Sequence, residues 1–274
     1  MDINPIVGNF GIEITGVDLA SCGPEIHEKI VQLFDLHGVL IVRDQTLSPE
    51  AQMMFTRAFG APETNPPSTA LYPGIPEIFV ISNKIVDGRK IGQYDAGIGW
   101  HTDSSYLAEP VKCTMLYAME VPEEGSDTIL ADLCAAWDSL PPERQAELDK
   151  LQVQHSWRAL MALQGREPPD DDTYLPDVTH PMIRVHPTDG RKALWVSTGT
   201  TRGIVGIENP RGLDLLDELV TFATQERFLF RHKWSVGDVL IWDNRCTLHS
   251  GTPFDQSKYV RHVHRTWVKG DRPV

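Results

Sequence analysis

Short apolar runs with strand-like alternation, turns rich in Gly, Pro and Asp between them, and only a few stretches of helical spacing predict a mixed α/β chain, mainly antiparallel β, built as a sandwich or barrel. A doubly wound parallel sheet would instead alternate strand and helix throughout, and this chain does so only at its start.

Taken in order, Gly11 to Ile14 alternates as a short strand. Pro24 to His37 has helical spacing, with Ile26, Ile30, Val31 and Phe34 on one side, and Val39 to Val42 is an apolar strand buried on both faces. Ser48 is placed as an N-cap, with Pro49 and Glu50 in the first turn of a helix that runs to about Phe59 and stops at Gly60. Strands are then expected at 78–81, 113–121, 128–131, 182–185, 193–196, 228–232, 239–242 and 260–268. Two helical stretches interrupt them, one over 134–151 in two pieces around Pro141-Pro142 and one over 211–225. The stretch 164–176, with Pro168, Pro169 and three consecutive aspartates, reads as a surface loop, with a lid as one reading of it. No repeat or low-complexity linker divides the 274 residues, so one domain over 1–274 is expected.

Composition narrows the function. With 41% hydrophobic and 23% charged residues the chain is too apolar for disorder, and no apolar run is long enough to span a bilayer. The opening Met1-Asp2-Ile3-Asn4-Pro5 lacks a basic-then-apolar secretory pattern, so a cytoplasmic protein is expected. Cys22, Cys113, Cys134 and Cys246 are scattered, without a CxxC pair, and are read as buried thiols. A formal net charge of -13 argues against nucleic acid, whose phosphates need a dense basic surface. It leaves room for a small anionic ligand held by a few arginines inside a pocket.

Trp100-His101-Thr102-Asp103 supplies the first chemical signal. On a strand, residues two apart share a face, so His101 and Asp103 would present an imidazole and a carboxylate to one metal ion, with His249 as the third ligand. The triplet alone is weak, because 10 histidines and many aspartates generate about one such pair by chance, and a turn histidine beside a solvated aspartate is the alternative. Asp243 and Arg245, just before His249, read as a turn-fixing pair without a chemical role. Arg261 and Arg265 share one strand face with Val263 and Trp267, which places two guanidiniums in a barrel interior where an anionic ligand would pair with them. The alternative leaves the arginines in solvent and turns His262 and His264 inward.

These residues resemble the taurine/2,4-dichlorophenoxyacetate dioxygenase (TauD/TfdA) family of Fe(II)- and 2-oxoglutarate-dependent oxygenases, almost end to end: 38–60, 100–106, 125–130, 180–205 and 242–273. The resemblance implies a double-stranded β-helix, or jelly roll, with flanking helices. It implies iron at His101, Asp103 and His249, the far carboxylate of the co-substrate 2-oxoglutarate at Thr128 and Arg261, and the acidic group of the prime substrate at Arg265. Tyr106 and Asn83 are further substrate-pocket candidates. With O2 the expected reaction is hydroxylation of a small carboxylate or sulfonate with release of succinate and CO2; hydroxylation beside an ether, sulfur or amine would then cleave the product. Asp103 favours hydroxylation over halogenation, since related halogenases lack that carboxylate. Thr69 and Gly97 stand where the taurine enzyme pattern has histidine and asparagine, which argues against taurine itself. Relatives often form homodimers or homotetramers. Two other classes stay open: a zinc-dependent hydrolase, although HExxH is missing, and a non-catalytic jelly-roll anion-binding protein.

Overall fold

The computed structural model describes residues 1–7, 10–64, 69–93, 97, 99–163, 165 and 175–274. The expected lid at 164–176 lies almost wholly outside the described residues, as do Asp95, Ala96 and Ile98 just before the HxD triplet.

Strands dominate, and among the described residues every pair of strands but one is antiparallel. Among the described residues a nine-stranded sheet runs in the order Asp2–Val7, Phe10–Thr15, Val39–Val42, Val239–Asp243, Cys113–Glu120, His262–Val268, Ile75–Ser82 and Leu71–Tyr72, with Pro62–Glu63 paired beside His262–Val268. The parallel pair, Phe10–Thr15 with Val39–Val42, is joined by the helix Pro24–His37, since strands pointing the same way need a crossover rather than a tight turn. That helix ends where Gly38, at φ 71°, donates its N–H back to the Phe34 carbonyl. Ser48 caps the next helix, Pro49–Ala58, its hydroxyl accepting from the Ala51 N–H.

A second, three-stranded sheet orders Leu229–His232, Thr128–Asp132 and Thr247–Gly251. Strand alternation divides the core between the sheets. Leu40, Met115, Tyr117, Val239 and Ile241 point into a cluster with Ile30, Phe34 and Phe55 of the two helices. Their neighbours Ile41, Leu116, Ala118, Leu240 and Trp242 point the other way, onto Leu130 of the small sheet. Both faces of the central strands are therefore buried, and each fully buried Leu or Ile contributes roughly 1.5–3 kcal/mol of transfer free energy.

The chain passes from the large sheet to the small one through the turn between Val239–Asp243 and Thr247–Gly251. Asp243, fully buried, accepts from the Arg245 backbone N–H, the Arg245 guanidinium and His186 Nε2. Despite its burial, these partners hold the Asp243 carboxyl far below the usual carboxylate range. His186, Asp243 and Cys246 lie close enough to resemble a metal site, but the Arg245 guanidinium already fills the carboxylate's valences and repels a second cation. The expected turn-fixing role of Asp243 and Arg245 is what the contacts describe.

The sequence reading leaves out several described elements. Asp2–Val7, Gln152–His155, Val178–Pro181 and Thr201–Ile204 are strands, the last three forming a separate small sheet, and Trp157–Leu163 is a short helix. No described helix is long and apolar enough to cross a membrane. All four cysteines are free, and Cys22 is only partly buried.

Buried neutral histidines make the fold acid-sensitive. Burial, with His180 beside it, pushes His155 down from 6.5 to about 3, and burial pushes His264 to about 4. A folded pKa below the unfolded one means that, as pH drops below about 6.5, the unfolded chain takes up a proton that the folded chain refuses. Stability should fall by up to about 1.4 kcal/mol per pH unit per such group as pH drops from near 6.5 towards these folded values. Thermal unfolding between pH 7 and pH 5 is expected to show this slope and His155→Gln to flatten it; an identical slope in the variant would count against the assignment.

Candidate active site

His101 and Asp103 meet by a route other than the expected strand. His101 forms an isolated antiparallel bridge with His249, each backbone N–H donating to the other's carbonyl at 2.9 Å. Directly opposed residues in such a pair project side chains to the same face, and the two imidazole centroids lie 4.1 Å apart. Asp103 is in a turn. Thr102 Oγ1 donates to the Thr247 carbonyl at 2.7 Å, the Asp103 N–H donates to Asn244 Oδ1 at 3.3 Å, and Ser104 at φ 54° swings the chain away. The idea that a strand's period of two aligns His101 with Asp103 is therefore corrected: a bridge places the histidine and a turn places the carboxylate.

The three groups are close enough for one ion. Asp103 Oδ1 is 3.8 Å from His101 Nε2, Asp103 Oδ2 is 3.7 Å from His249 Nε2, and the three ligand atoms all lie within 4.8 Å of one another. The Gly99 carbonyl, which can only accept, lies 2.7 Å from His101 Nδ1, so that nitrogen carries the proton and Nε2 keeps its lone pair for a metal. Burial and the neighbouring His101 and Arg265 lower His249 to about 3, which keeps its ring neutral near pH 7. Burial raises Asp103, but His249, His101, Arg265 and the Thr114 hydroxyl outweigh it and hold the carboxyl below its usual range. Two imidazoles and one carboxylate suit a divalent ion with open coordination positions.

Two supporting residues escape the sequence reading. Thr114, fully buried on Cys113–Glu120, donates its hydroxyl to Asp103 Oδ2 at 2.5 Å. Asn244, also fully buried, donates to Thr114 Oγ1 and accepts at Oδ1 from the Asp103 N–H and Trp242 Nε1. The available signal is a polar residue on an otherwise apolar strand face: Thr114 shares its face with Leu116 and Ala118. Thr114→Val keeps the shape and deletes the donor, and metal affinity is expected to fall about 10- to 100-fold, as for other outer-sphere partners. Titration with Mn(II) would read this directly, and wild-type affinity in the variant would remove Thr114 from the metal site.

The triad opens onto a cavity of about 560 Å³, within the range of ligand pockets. Arg261, Arg265, Thr128 and Tyr106 all line it. Thr128 sits opposite Gly251, two residues along the strand from the Leu130–His249 pair, so the small sheet presents Thr128 and His249 on one face. Arg261 lies one residue before His262–Val268, next to the register shift at His262/Val263. Arg265 is further in, its guanidinium 3.8 Å from the Trp267 ring centroid and 4.6 Å from that of Phe79. Burial lowers Arg265, an effect that Asp103 and Tyr106 oppose, and burial pushes the Tyr106 phenol up to about 12. The arginines thus face inward, and His264 packs on the other side against Tyr72.

Asn83 is not among the described residues that line this cavity. Its amide is engaged at both ends, donating to the Tyr259 carbonyl and accepting from the Arg261 N–H, both at 2.9 Å, so it fixes the backbone that carries Arg261. A further wall comes from Trp157, Leu160 and Met161, one face of the helix Trp157–Leu163. Thr69, Gly97 and Thr200 also line the cavity.

Comparisons with known proteins place the whole chain in one family. The family model for "Taurine catabolism dioxygenase TauD, TfdA family" matches residues 2–267. The 2,4-dichlorophenoxyacetate dioxygenase of Cupriavidus pinatubonensis, described as alpha-ketoglutarate-dependent, is 36% identical over 93% of this chain and 93% of its own length. A taurine dioxygenase structure from Burkholderia xenovorans superposes with a TM-score of 0.84 at 30% identity, covering 100% of this chain and 90% of that one. A crystal structure of AAD-2 in complex with Mn(II) and N-oxalylglycine superposes with a TM-score of 0.83 at 30% identity, covering 99% and 98%. Neither a zinc hydrolase nor a non-catalytic binding protein accounts for a match that spans residues 2–267. The chain belongs to the TauD/TfdA family and is a 2-oxoglutarate-dependent dioxygenase, using Fe(II), 2-oxoglutarate and O2.

Proposed function

We propose that this enzyme hydroxylates a small organic anion, a carboxylate or sulfonate with an apolar body, in one jelly-roll domain spanning 1–274 whose two main sheets form the barrel walls. His101, Asp103 and His249 hold the ferrous ion in this reading, Thr128 and Arg261 hold the far carboxylate of 2-oxoglutarate, and Arg265 with Tyr106 receives the substrate's anionic group. The bound iron with its co-substrate supplies the oxidising power: O2 delivers one oxygen atom to 2-oxoglutarate as it becomes succinate and CO2, and one to a substrate C–H. The protein contributes orientation and a dry wall. Asp103 and the two histidines would hold the metal through three groups and leave coordination positions for other ligands, and Arg265 would anchor substrate in the same cavity. Where the hydroxylated carbon also carries an ether oxygen, sulfur or amine, the product falls apart.

The observation that carries the substrate class is the placement of Arg265 between Phe79 and Trp267 in the same cavity as the triad. A buried guanidinium favours an anion, and its neighbours Ile81, Leu116, Leu160 and Met161 favour an apolar remainder. Taurine, whose second charge has no apolar character, fits that wall poorly. Succinate release measured over aryloxy acids, aliphatic carboxylates, alkyl sulfonates and taurine tests the reading. Stimulation by an apolar-bodied anion well above that by taurine is expected. Stimulation by taurine alone, or by neutral compounds as strongly as by anions, would overturn it.

A further inference from the structure

Thr128 reaches the cavity with its hydroxyl already engaged on one side. The Trp234 indole N–H donates to Thr128 Oγ1 at 3.2 Å. A threonine hydroxyl has one proton to give and two lone pairs to receive, whereas an indole N–H can only donate. Trp234 therefore fills a lone pair and cannot accept the Thr128 proton, which has no other acceptor among the described residues and is left for the cavity that Thr128 lines. A carboxylate, which only accepts, is the ligand such a proton suits.

The indole is itself held in place. Its ring meets that of His232 edge-on, centroids 4.5 Å apart at 83°, and His232 pairs with Thr128 across the small sheet. The turn after it is fixed by Asp238, fully buried, whose Oδ2 accepts from the Ser235 N–H at 2.8 Å and from Arg43 Nη1 at 2.7 Å, with His232 Nε2 at 3.2 Å. The arrangement makes a rigid chain of contacts from Arg43 to the Thr128 hydroxyl.

We propose that Trp234 is a positioning residue that aims the Thr128 hydroxyl proton at the far carboxylate of 2-oxoglutarate and so sets the site's preference for a co-substrate carrying that carboxylate. This rests on the reading of Thr128 as a co-substrate contact. Without the indole donor nothing fixes the rotation of the hydroxyl, and the carboxylate loses an oriented partner.

Calorimetric titration of the Mn(II)-loaded protein with 2-oxoglutarate and with 2-oxopentanoate, which replaces the far carboxylate by a methyl group, tests this without turnover. In Trp234→Phe, affinity for 2-oxoglutarate is expected to drop about 5- to 20-fold, less than the loss of a whole hydrogen bond to a charged group, because the hydroxyl remains and only its aim is lost. Affinity for 2-oxopentanoate and for Mn(II) should stay at the wild-type value, and the same substitution in a Thr128→Val background should cost nothing more. Equal loss for both oxo acids would mean that Trp234 acts only through packing and would overturn the proposal. So would unchanged 2-oxoglutarate affinity in Trp234→Phe alongside a weakened Thr128→Val, an outcome that leaves the reading of Thr128 standing. Unchanged affinity in Thr128→Val would remove both. Should Trp234→Phe fold poorly, benzothienylalanine at position 234 keeps the indole shape without the N–H and must give the same selective loss.

Discussion

A His101→Ala protein is expected to lose succinate formation and the weak visible charge-transfer absorption that ferrous ion and 2-oxoglutarate give together under anaerobic conditions. The size of the effect follows from how the site is built. His101 contributes one of three groups within 4.8 Å of one another, and no other described histidine, cysteine or carboxylate joins that group. Its Nε2 is set for a metal because Nδ1 is committed to the Gly99 carbonyl. Loss of an outer-sphere partner alone costs about 10- to 100-fold in metal affinity, so loss of a ligand should exceed about 100-fold. The substitution should leave folding largely intact, since the pairing with His249 uses backbone atoms that alanine retains. His155→Gln is the matching control, a buried histidine outside the triad. Retention of the absorption band in His101→Ala, or its loss in both proteins, would sink the triad assignment.

Local patterns made the central strands of the large sheet readable. Pro24–His37 carries its own punctuation, Pro at the start and Gly38 past the end, and Val39–Val42 is an uninterrupted apolar run. Elements that lack such contrast escaped: Gln152–His155 has one apolar residue, Val153, and Trp157–Leu163 is too short for a helical period to stand out. In the site, residue types were legible and the geometry was not. His101-Thr102-Asp103 was visible as a triplet, but what joins it to His249 is a backbone bridge between distant segments, which no spacing rule encodes. Thr114 and Asn244 act through hydrogen bonds to each other and to Asp103, contacts that exist only once the sheet has closed. Asn83 shows the same limit. A polar residue near an expected pocket reads as a substrate contact, yet its two hydrogen bonds go to the backbone beside Arg261.

Replacing Arg265 by methionine is expected to lower kcat/KM for an anionic substrate by at least about 30-fold, the low end of the 2–5 kcal/mol lost when one partner of a buried charge pair is removed. The substitution is chosen for shape: methionine is unbranched, polarisable and able to lie against the Phe79 and Trp267 faces that now flank the guanidinium. Removing the cation also removes a positive charge whose field helps keep Asp103 ionised, so metal affinity must be measured in the same protein to separate the two effects. Lysine should restore little, because a compact ammonium cannot stack between two rings or present two parallel donors to a carboxylate or sulfonate. Arg261→Met provides the contrast. It should raise KM for 2-oxoglutarate while leaving the ranking of prime substrates unchanged, whereas Arg265→Met should change that ranking and narrow the gap between an acid and its neutral amide. The two guanidiniums line one cavity and lie on one short segment of chain, so their division of labour rests on depth: Arg261 precedes the final strand at its register shift, and Arg265 lies inside it beside Asp103 and Tyr106. If both variants weaken 2-oxoglutarate alike and leave the acid-to-amide ratio at its wild-type value, the substrate's anionic group is held elsewhere and Arg265 belongs to the co-substrate.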